Sequence, residues 1–132
     1  MRITNQWLID NGACEGHRQR FMQLYPGGQA ELSLADIRNA LKHNLDVYWV
    51  VQHFINHVRR KGITTRIRDN FYRNLTKALN KASNAYNRSY NRLIYAAPNL
   101  SYAQLQRRQA KMRAKHRDAE AQAYMKVFRR FK

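Results

Sequence analysis

The stretch FYRNLTKALNKASNAYNRSYNRLIY, residues 71–95, decides the fold class of this chain. At 100° per residue, its apolar and aromatic side chains fall on one side of an α-helix. We therefore expect one long helix near residues 65–96, with an apolar stripe that packs into a core. This stripe consists of Phe71, Leu75, Ala78, Leu79, Ala82, Tyr86, Tyr90 and Leu93.

The opposite side of the same helix is basic and carries Arg66, Arg73, Lys77, Lys81, Arg88 and Arg92. Tyrosines among arginines allow two interpretations. The rings stack on nucleic-acid bases while the arginines hold phosphates, or the rings belong to an ordinary buried stripe. The spacing assigns Tyr86 and Tyr90 to the buried stripe. Tyr95 projects from the basic side, which makes it the candidate for stacking.

A second long helix is predicted near residues 102–130. Its seam advances in steps of three and four residues, a coiled-coil-like spacing. The seam consists of Tyr102, Leu105, Gln109, Met112, His116, Ala119, Ala123 and Val127. The short connection at residues 96–100 turns this helix back antiparallel onto the first. Its outer surface is also basic, with Arg107, Arg108, Lys111, Lys115, Lys126 and Arg129.

Two helix starts have capping signals, because Ser33 precedes Asp36, and Ser101 precedes Gln104, by three residues. Strand signals do not recur. We predict an all-α chain with a small helical module at residues 1–60 and a long basic antiparallel helical hairpin at residues 61–132. The helices of the module are expected near residues 5–10, 13–24, 34–43 and 46–60.

Charge divides the chain in the same way. The formal net charge is +17, yet residues 1–58 hold five basic and five acidic residues and contribute none of it. The other twenty of the 25 basic residues are opposed only by Asp69, Asp118 and Glu120, which accounts for the full +17. A neutral module joined to such a surface indicates an anionic partner.

The apolar residues of the module are expected to form its core. They are Trp7, Leu8, Phe21, Leu24, Tyr25, Ile37, Leu41, Leu45, Trp49, Val50 and Phe54. An alternative leaves part of the stretch DVYWVVQHF, residues 46–54, exposed as a partner site. Adjacent Tyr48 and Trp49 point to different sides of a helix, so in this alternative one of them faces solvent.

No constellation of residues indicates catalysis, and we expect neither enzymatic activity nor a cofactor. Cys14 and His17 are close enough on a helix to pair, but no orienting carboxylate or oxyanion hole accompanies them. Together with His53 and His57 they have zinc-ligand spacing. We treat this spacing as coincidence and expect no metal. Glycine-rich phosphate loops and paired carboxylates are also missing from the sequence.

Several features predict a cytoplasmic protein without a membrane segment. Cys14 is the only cysteine, so an intramolecular disulfide is impossible and a reducing compartment fits. No apolar run approaches the ~20 residues that span a bilayer. The first residues also lack the charged and apolar segments of a signal peptide.

The motif WLIDNGAC at residues 7–14 is followed by Gly16, Phe21, YPGG at residues 25–28, LDV at residues 45–47 and Trp49. Residues 5–50 thereby resemble a short module of small, mostly uncharacterised bacteriophage and prophage accessory proteins. The resemblance implies a phage accessory protein that acts in the bacterial cytoplasm. It implies no catalytic residues, and it does not include the basic hairpin.

Three functions are compatible with the charge pattern. The first is largely sequence-independent binding of DNA or RNA through Arg66, Arg73, Lys77, Lys81, Arg88, Arg92, Tyr95, Arg107, Arg108, Lys111 and Lys115. The second is inhibition of an acidic host protein or of a nucleic-acid-processing complex, such as a CRISPR-type or nuclease complex, through the same surface. The third, binding to an anionic membrane, ranks last because the apolar side of the hairpin is needed for packing.

Overall fold

The computed structural model describes residues 2–59 and 64–129, and 81% of this described part is helical. This confirms the all-α class and the long helical hairpin. In chain order the elements are β1 (Arg2–Thr4), α1 (Asn5–Asp10), α2 (Glu15–Leu24), β2 (Gln29–Glu31), α3 (Leu34–Lys42), α4 (Val47–Arg59), α5 (Thr65–Ala96) and α6 (Tyr102–Arg129). The predicted helix ends at residues 60 and 130, and the predicted boundary between residues 60 and 61, lie outside the described residues.

The strands β1 and β2 are an addition that the sequence did not predict. They pair antiparallel, with Arg2 opposite Glu31 and Ile3 opposite Ala30. Ile3 is buried, and Arg2 Nε donates a hydrogen bond to Glu31 Oε1 at 3.1 Å. Each strand has three residues, which is too short for an alternating pattern to stand out from its surroundings.

The predicted caps are present at both sites. Ser33 Oγ accepts a hydrogen bond from the backbone N of Asp36 at 3.0 Å, and it lies 2.6 Å from the carboxylate of that residue. At the start of α6, Ser101 Oγ accepts from Gln104 N, while Gln104 Oε1 accepts from Ser101 N. The second site is thus a reciprocal capping box, which fixes where the chain re-enters a helix after the hairpin turn.

The largest apolar core joins both parts of the chain. Ile37, Val51 and Ile55 of the module are buried in one cluster with Leu75 of α5 and Tyr124 of α6. The helices α5 and α6 pack along each other, and the C-terminal half of α6 also packs on α3 and α4. A second, smaller cluster around Ile3, Leu8 and Phe21 lies wholly within the module. The module and the hairpin therefore share their main core.

The predicted seam of α6 is correct only in part. Leu105, Gln109, Met112 and His116 are half-buried, and Ala123 and Val127 are buried, but Tyr102 and Ala119 are exposed. Ala121, Tyr124 and Phe128 are buried although they lie outside the seam. The reason is that α3 and α4 cover the C-terminal end of α6 from other sides. The buried arc is wider there than a two-helix seam.

The apolar stripe of α5 also needs one correction. Phe71, Leu75, Ala82 and Leu93 are buried as predicted, and Tyr86 is half-buried. Tyr90 is 40% exposed, because it lies at the edge of the stripe, and it stacks on Tyr86 with ring centroids 6.2 Å apart. Its position on the stripe was predicted correctly, but its burial was not.

The predicted core of the module is divided between buried and half-buried residues. Leu8, Phe21, Ile37 and Phe54 are buried. Half-buried are Trp7, Leu24, Tyr25, Leu41, Leu45, Trp49 and Val50. Tyr48 is exposed, whereas Trp49 lies between Trp7 and His53, so the two neighbours do face different surroundings.

Among the described helices, none has both the length and the apolar character that crossing a membrane requires.

Candidate nucleic-acid interface

The first part of the candidate surface is the α5 row, which we define as Arg66, Arg73, Lys77, Lys81, Arg88 and Arg92. All of these side chains are exposed, as their spacing predicted. The row lies on the side of α5 that is opposite its buried stripe. At 1.5 Å of rise per residue it extends for about 39 Å. The helix thus presents a straight line of positive charge to solvent.

A shallow groove runs along the middle of the α5 row. Arg73, Lys77, Lys81 and Arg88 line it together with Tyr72, Thr76, Asn80 and Asn84. These neutral residues were not among the predicted site residues, although Thr76, Asn80 and Asn84 repeat every four residues beside the basic side chains. Hydroxyl and amide groups, like lysine and arginine, donate hydrogen bonds to phosphate oxygens. The groove therefore combines charge with neutral donors.

Tyr72 keeps its hydroxyl proton in this groove. Its pKa is raised from the ordinary value, first by burial and then by the neighbouring hydroxyl of Tyr48, while Arg68 acts in the opposite direction. At physiological pH the phenol is therefore neutral. A neutral phenol is able to donate a hydrogen bond to an anion, whereas a phenolate repels it.

The acidic residues of the hairpin do not neutralise the α5 row. Asp69 pairs with Arg68 at 2.9 Å, Asp118 pairs with Arg38 of α3, and Glu120 lies 3.4 Å from Nδ1 of His116. Within residues 2–59 and 64–129, no side chain of the row forms an ion pair. The positive charge of α5 is therefore free to act on an external partner.

A second set of cations lies on the other long helix. This α6 row consists of Arg107, Arg108, Lys111 and Lys115, all of them exposed. Among the described residues, these side chains also form no ion pair. Lys126 and Arg129, near the end of α6, are exposed as well. Both arms of the hairpin therefore carry positive charge without internal compensation.

Two tyrosines flank the turn of the hairpin. Tyr95 is 85% exposed near the end of α5, and Tyr102 is 78% exposed at the start of α6. A single 3-10 turn, Ala97–Asn99, connects the helices, so both rings lie at the same end of the hairpin. The exposure of Tyr95 confirms its predicted position on the basic side. Tyr102 is new to this surface, because its seam spacing had predicted burial.

Tyr86 has a structural role between the two long helices. Its ring centroid is 5.0 Å from that of His116 on α6, in a tilted arrangement. His116 also approaches Glu120 one turn further on. This contact helps to set how α5 and α6 face each other. Tyr86 therefore belongs to the packing of the hairpin, as its spacing predicted.

Three of the residues considered for zinc and for catalysis form contacts within the module. Cys14 Sγ and His17 Nδ1 are hydrogen-bonded at 2.9 Å. His53 stacks on Trp49 with ring centroids 3.9 Å apart, and its Nδ1 lies 3.0 Å from the carbonyl oxygen of the same tryptophan. In the part of the chain that the structure describes, no group of three or more His, Cys, Asp or Glu residues is arranged to hold a metal ion.

Comparison with known proteins yields no relative. No protein-family model, no curated protein and no solved structure matches this chain. The candidate surface therefore has to be interpreted from its own geometry and charge.

Proposed function

We propose that this protein is a non-enzymatic, largely sequence-independent nucleic-acid-binding protein. One observation carries the proposal: the α5 row is a straight, exposed line of cations with no internal counter-charge among the described residues. Phosphate contacts of this kind supply most of the affinity in non-specific binding. The α6 row adds further cations on the second arm of the hairpin.

The shape of the row favours a nucleic acid over an acidic protein. Its length of about 39 Å matches about one turn of duplex, which is 34–36 Å. Thr76, Asn80 and Asn84 add neutral donors along the same groove. Such donors suit the closely spaced oxygens of a phosphate backbone. None of the sequence signatures of helix-turn-helix, zinc-finger or RNA-binding sheet proteins occurs, so recognition of the backbone alone is expected.

The end of the hairpin supports binding to unpaired bases. Tyr95 and Tyr102 expose most of their ring surface beside the arginine-rich end of α5. Base–aromatic stacking contributes about 1–3 kcal/mol per base and tolerates any sequence. A strand whose backbone follows the α5 row would reach these rings with its bases. The proposed ligand therefore includes single-stranded segments as well as duplex.

The biological setting is also a proposal, and it rests on the resemblance of residues 5–50 to phage accessory proteins. In that setting the protein acts in the cytoplasm of a bacterial host. The alternative is that the basic hairpin inhibits an acidic host protein or a nucleic-acid-processing complex. The same positive field attracts both partners, so only a binding experiment separates them.

The test is a charge reversal with a matched control. Arg88→Glu and Arg92→Glu together should weaken binding to labelled duplex and to a labelled single strand, measured by fluorescence anisotropy. Arg20→Glu and Lys42→Glu together change exposed residues of the module instead. Each pair lowers the net charge from +17 to +13. The first pair should reduce affinity at least tenfold, and the second pair much less.

Equal losses from both pairs would mean that net charge alone, and not the α5 row, causes binding. A pull-down from bacterial lysate decides between the partner classes. Binding to nucleic acid predicts that captured material disappears after nuclease treatment. If purified protein binds no duplex or single strand, yet captures one host protein after nuclease treatment, the nucleic-acid proposal is wrong and the inhibitor alternative holds.

A further inference from the structure

The module contains a cavity that is separate from both basic rows. It has a volume of about 360 Å³, and its lining comes from residues between Ile3 and Val50. None of the residues of the α5 and α6 rows lines it. Its walls are mainly apolar, with Leu8, Phe21, Ile37 and Val50 among them. The surrounding core cluster is small, and its buried members are Ile3, Leu8 and Phe21.

The cavity is partly open to solvent, because Gly12, Cys14, Glu31 and Asp46 of its lining are exposed. Close-packed protein cores contain few spaces larger than a water molecule. An apolar cavity of about 150 Å³ already admits benzene, and sites for small molecules begin near 300 Å³. The volume is therefore sufficient for a small organic molecule.

The charges around the cavity restrict what it accepts. No lysine or arginine lines it, although the protein carries 25 of these residues. Its acidic lining residues are Glu31, Asp36 and Asp46, and the carboxylate of Glu31 is paired with Arg2. An anion placed there would find no lysine or arginine of the lining to pair with, and an unpaired charge is costly to remove from water. Nucleotides and carboxylic acids are thus unsuitable occupants.

One part of the lining is polar and reaches the surface. Cys14 is exposed and His17 is half-buried, and their Sγ and Nδ1 atoms are 2.9 Å apart. The thiol and the imidazole are able to form hydrogen bonds with the polar end of a ligand. Apolar walls with a small number of polar groups are the usual composition of a small-molecule site.

We propose that this cavity binds a small uncharged molecule with an aromatic or branched aliphatic body and one polar atom directed to Cys14 and His17. The proposal is independent of nucleic-acid binding, since no residue of either basic row takes part. It adds a second ligand to the protein and places it in the neutral module.

Fluorine NMR tests the proposal with two matched probes, 4-fluorobenzyl alcohol and 4-fluorobenzoate. The alcohol should bind the full chain saturably, and the carboxylate should bind at least tenfold more weakly. Ala13→Leu and Ala40→Leu each add volume to the lining and should reduce binding of the alcohol at least tenfold. Ala85→Leu makes the same change at an exposed site on α5 and should have no effect.

Three results would overturn the proposal. They are no binding of either probe, equal binding of both probes, and full binding by a folded cavity-filling variant. If circular dichroism shows that both filling variants are unfolded, the unaltered protein is tested through Cys14, its only cysteine. Saturating alcohol should slow alkylation of Cys14 by iodoacetamide at least threefold. An unchanged rate would then refute the site.

Discussion

Arg38 of α3 donates a hydrogen bond from Nε to Oδ1 of Asp118 in α6, with 2.6 Å between the two atoms. This contact joins the module to the hairpin across 80 residues of sequence. It also engages one of the three acidic residues that follow residue 58. The carboxylate of Asp118 is therefore paired with the module, and among the described residues no acidic side chain pairs with the α5 row.

The Arg38–Asp118 pair should nevertheless contribute little to stability. Both side chains are partly exposed, so water and salt screen their attraction. A double-mutant cycle of Arg38→Ala and Asp118→Ala, measured by urea unfolding, should give a coupling of about 0.2–1 kcal/mol. Arg113→Ala serves as the control, because Arg113 is exposed on α6 and forms no ion pair within residues 2–59 and 64–129. A coupling above about 2 kcal/mol would contradict this weak role.

The shared core predicts that module and hairpin unfold together. Ile55→Ala in α4 and Leu75→Ala in α5 should each lower the free energy of unfolding by about 2–5 kcal/mol, because both side chains are fully buried. Ile67→Ala, at an exposed position, should change it by no more than about 0.5 kcal/mol. Helical circular dichroism and tryptophan fluorescence should report one common transition. Two separate transitions would show that the module is an independent domain.

The tyrosines of the hairpin should separate into stability and binding groups. Tyr86→Ala should destabilise the fold by about 1–3 kcal/mol, because it removes the contact with His116. Tyr95→Ala and Tyr102→Ala should leave stability nearly unchanged and lower affinity for single strands by about 1–3 kcal/mol each. Thermal unfolding and anisotropy measure the two effects. Equal losses on duplex and single strands would argue against stacking.

Salt should weaken binding steeply. If all six residues of the α5 row contact duplex phosphates, log affinity should fall against log salt concentration with a slope near −5, from about 0.9 per contact. Contacts from the α6 row would make the slope steeper. The Arg88→Glu, Arg92→Glu pair should reduce its magnitude by about 2. Anisotropy titrations between 50 and 200 mM salt provide the measurement, and a slope near zero would exclude phosphate contacts as the source of affinity.

Stability should decline at alkaline pH. Burial raises the pKa of Tyr124 far above its ordinary value of 10.0, and it also raises those of Tyr25 and Tyr72. The unfolded chain loses these protons at a lower pH than the folded chain does. The contribution of these tyrosines to stability is therefore fully present below about pH 10 and is lost as the pH rises above it. The loss from Tyr124 should approach ~1.4 kcal/mol per pH unit. Urea unfolding of Tyr124→Phe between pH 8 and 11 should show a smaller decline. An unchanged decline would assign the effect to other groups.

Local patterns were enough to locate the helices. The stripe of α5 and the capping serines at Ser33 and Ser101 depend on residues within a few positions of one another, so their signals are complete in the sequence. The exposure of the α5 row and of Tyr95 was predicted from the same periodicity, because a charged side opposite an apolar stripe usually faces solvent. The uneven placement of charge along the chain is likewise visible in the sequence itself.

Contacts between distant residues decided the rest. Tyr102 is exposed and Tyr124 is buried because α3 and α4 cover one end of α6 and leave the other end open. The pairing of β1 with β2, the Arg38–Asp118 contact and the cavity beside Cys14 all join segments that are far apart in sequence. Helical periodicity specifies which side of an element is apolar. Only tertiary packing determines how much of that side is covered, and by which partner, because burial depends on the arrangement of every neighbouring element.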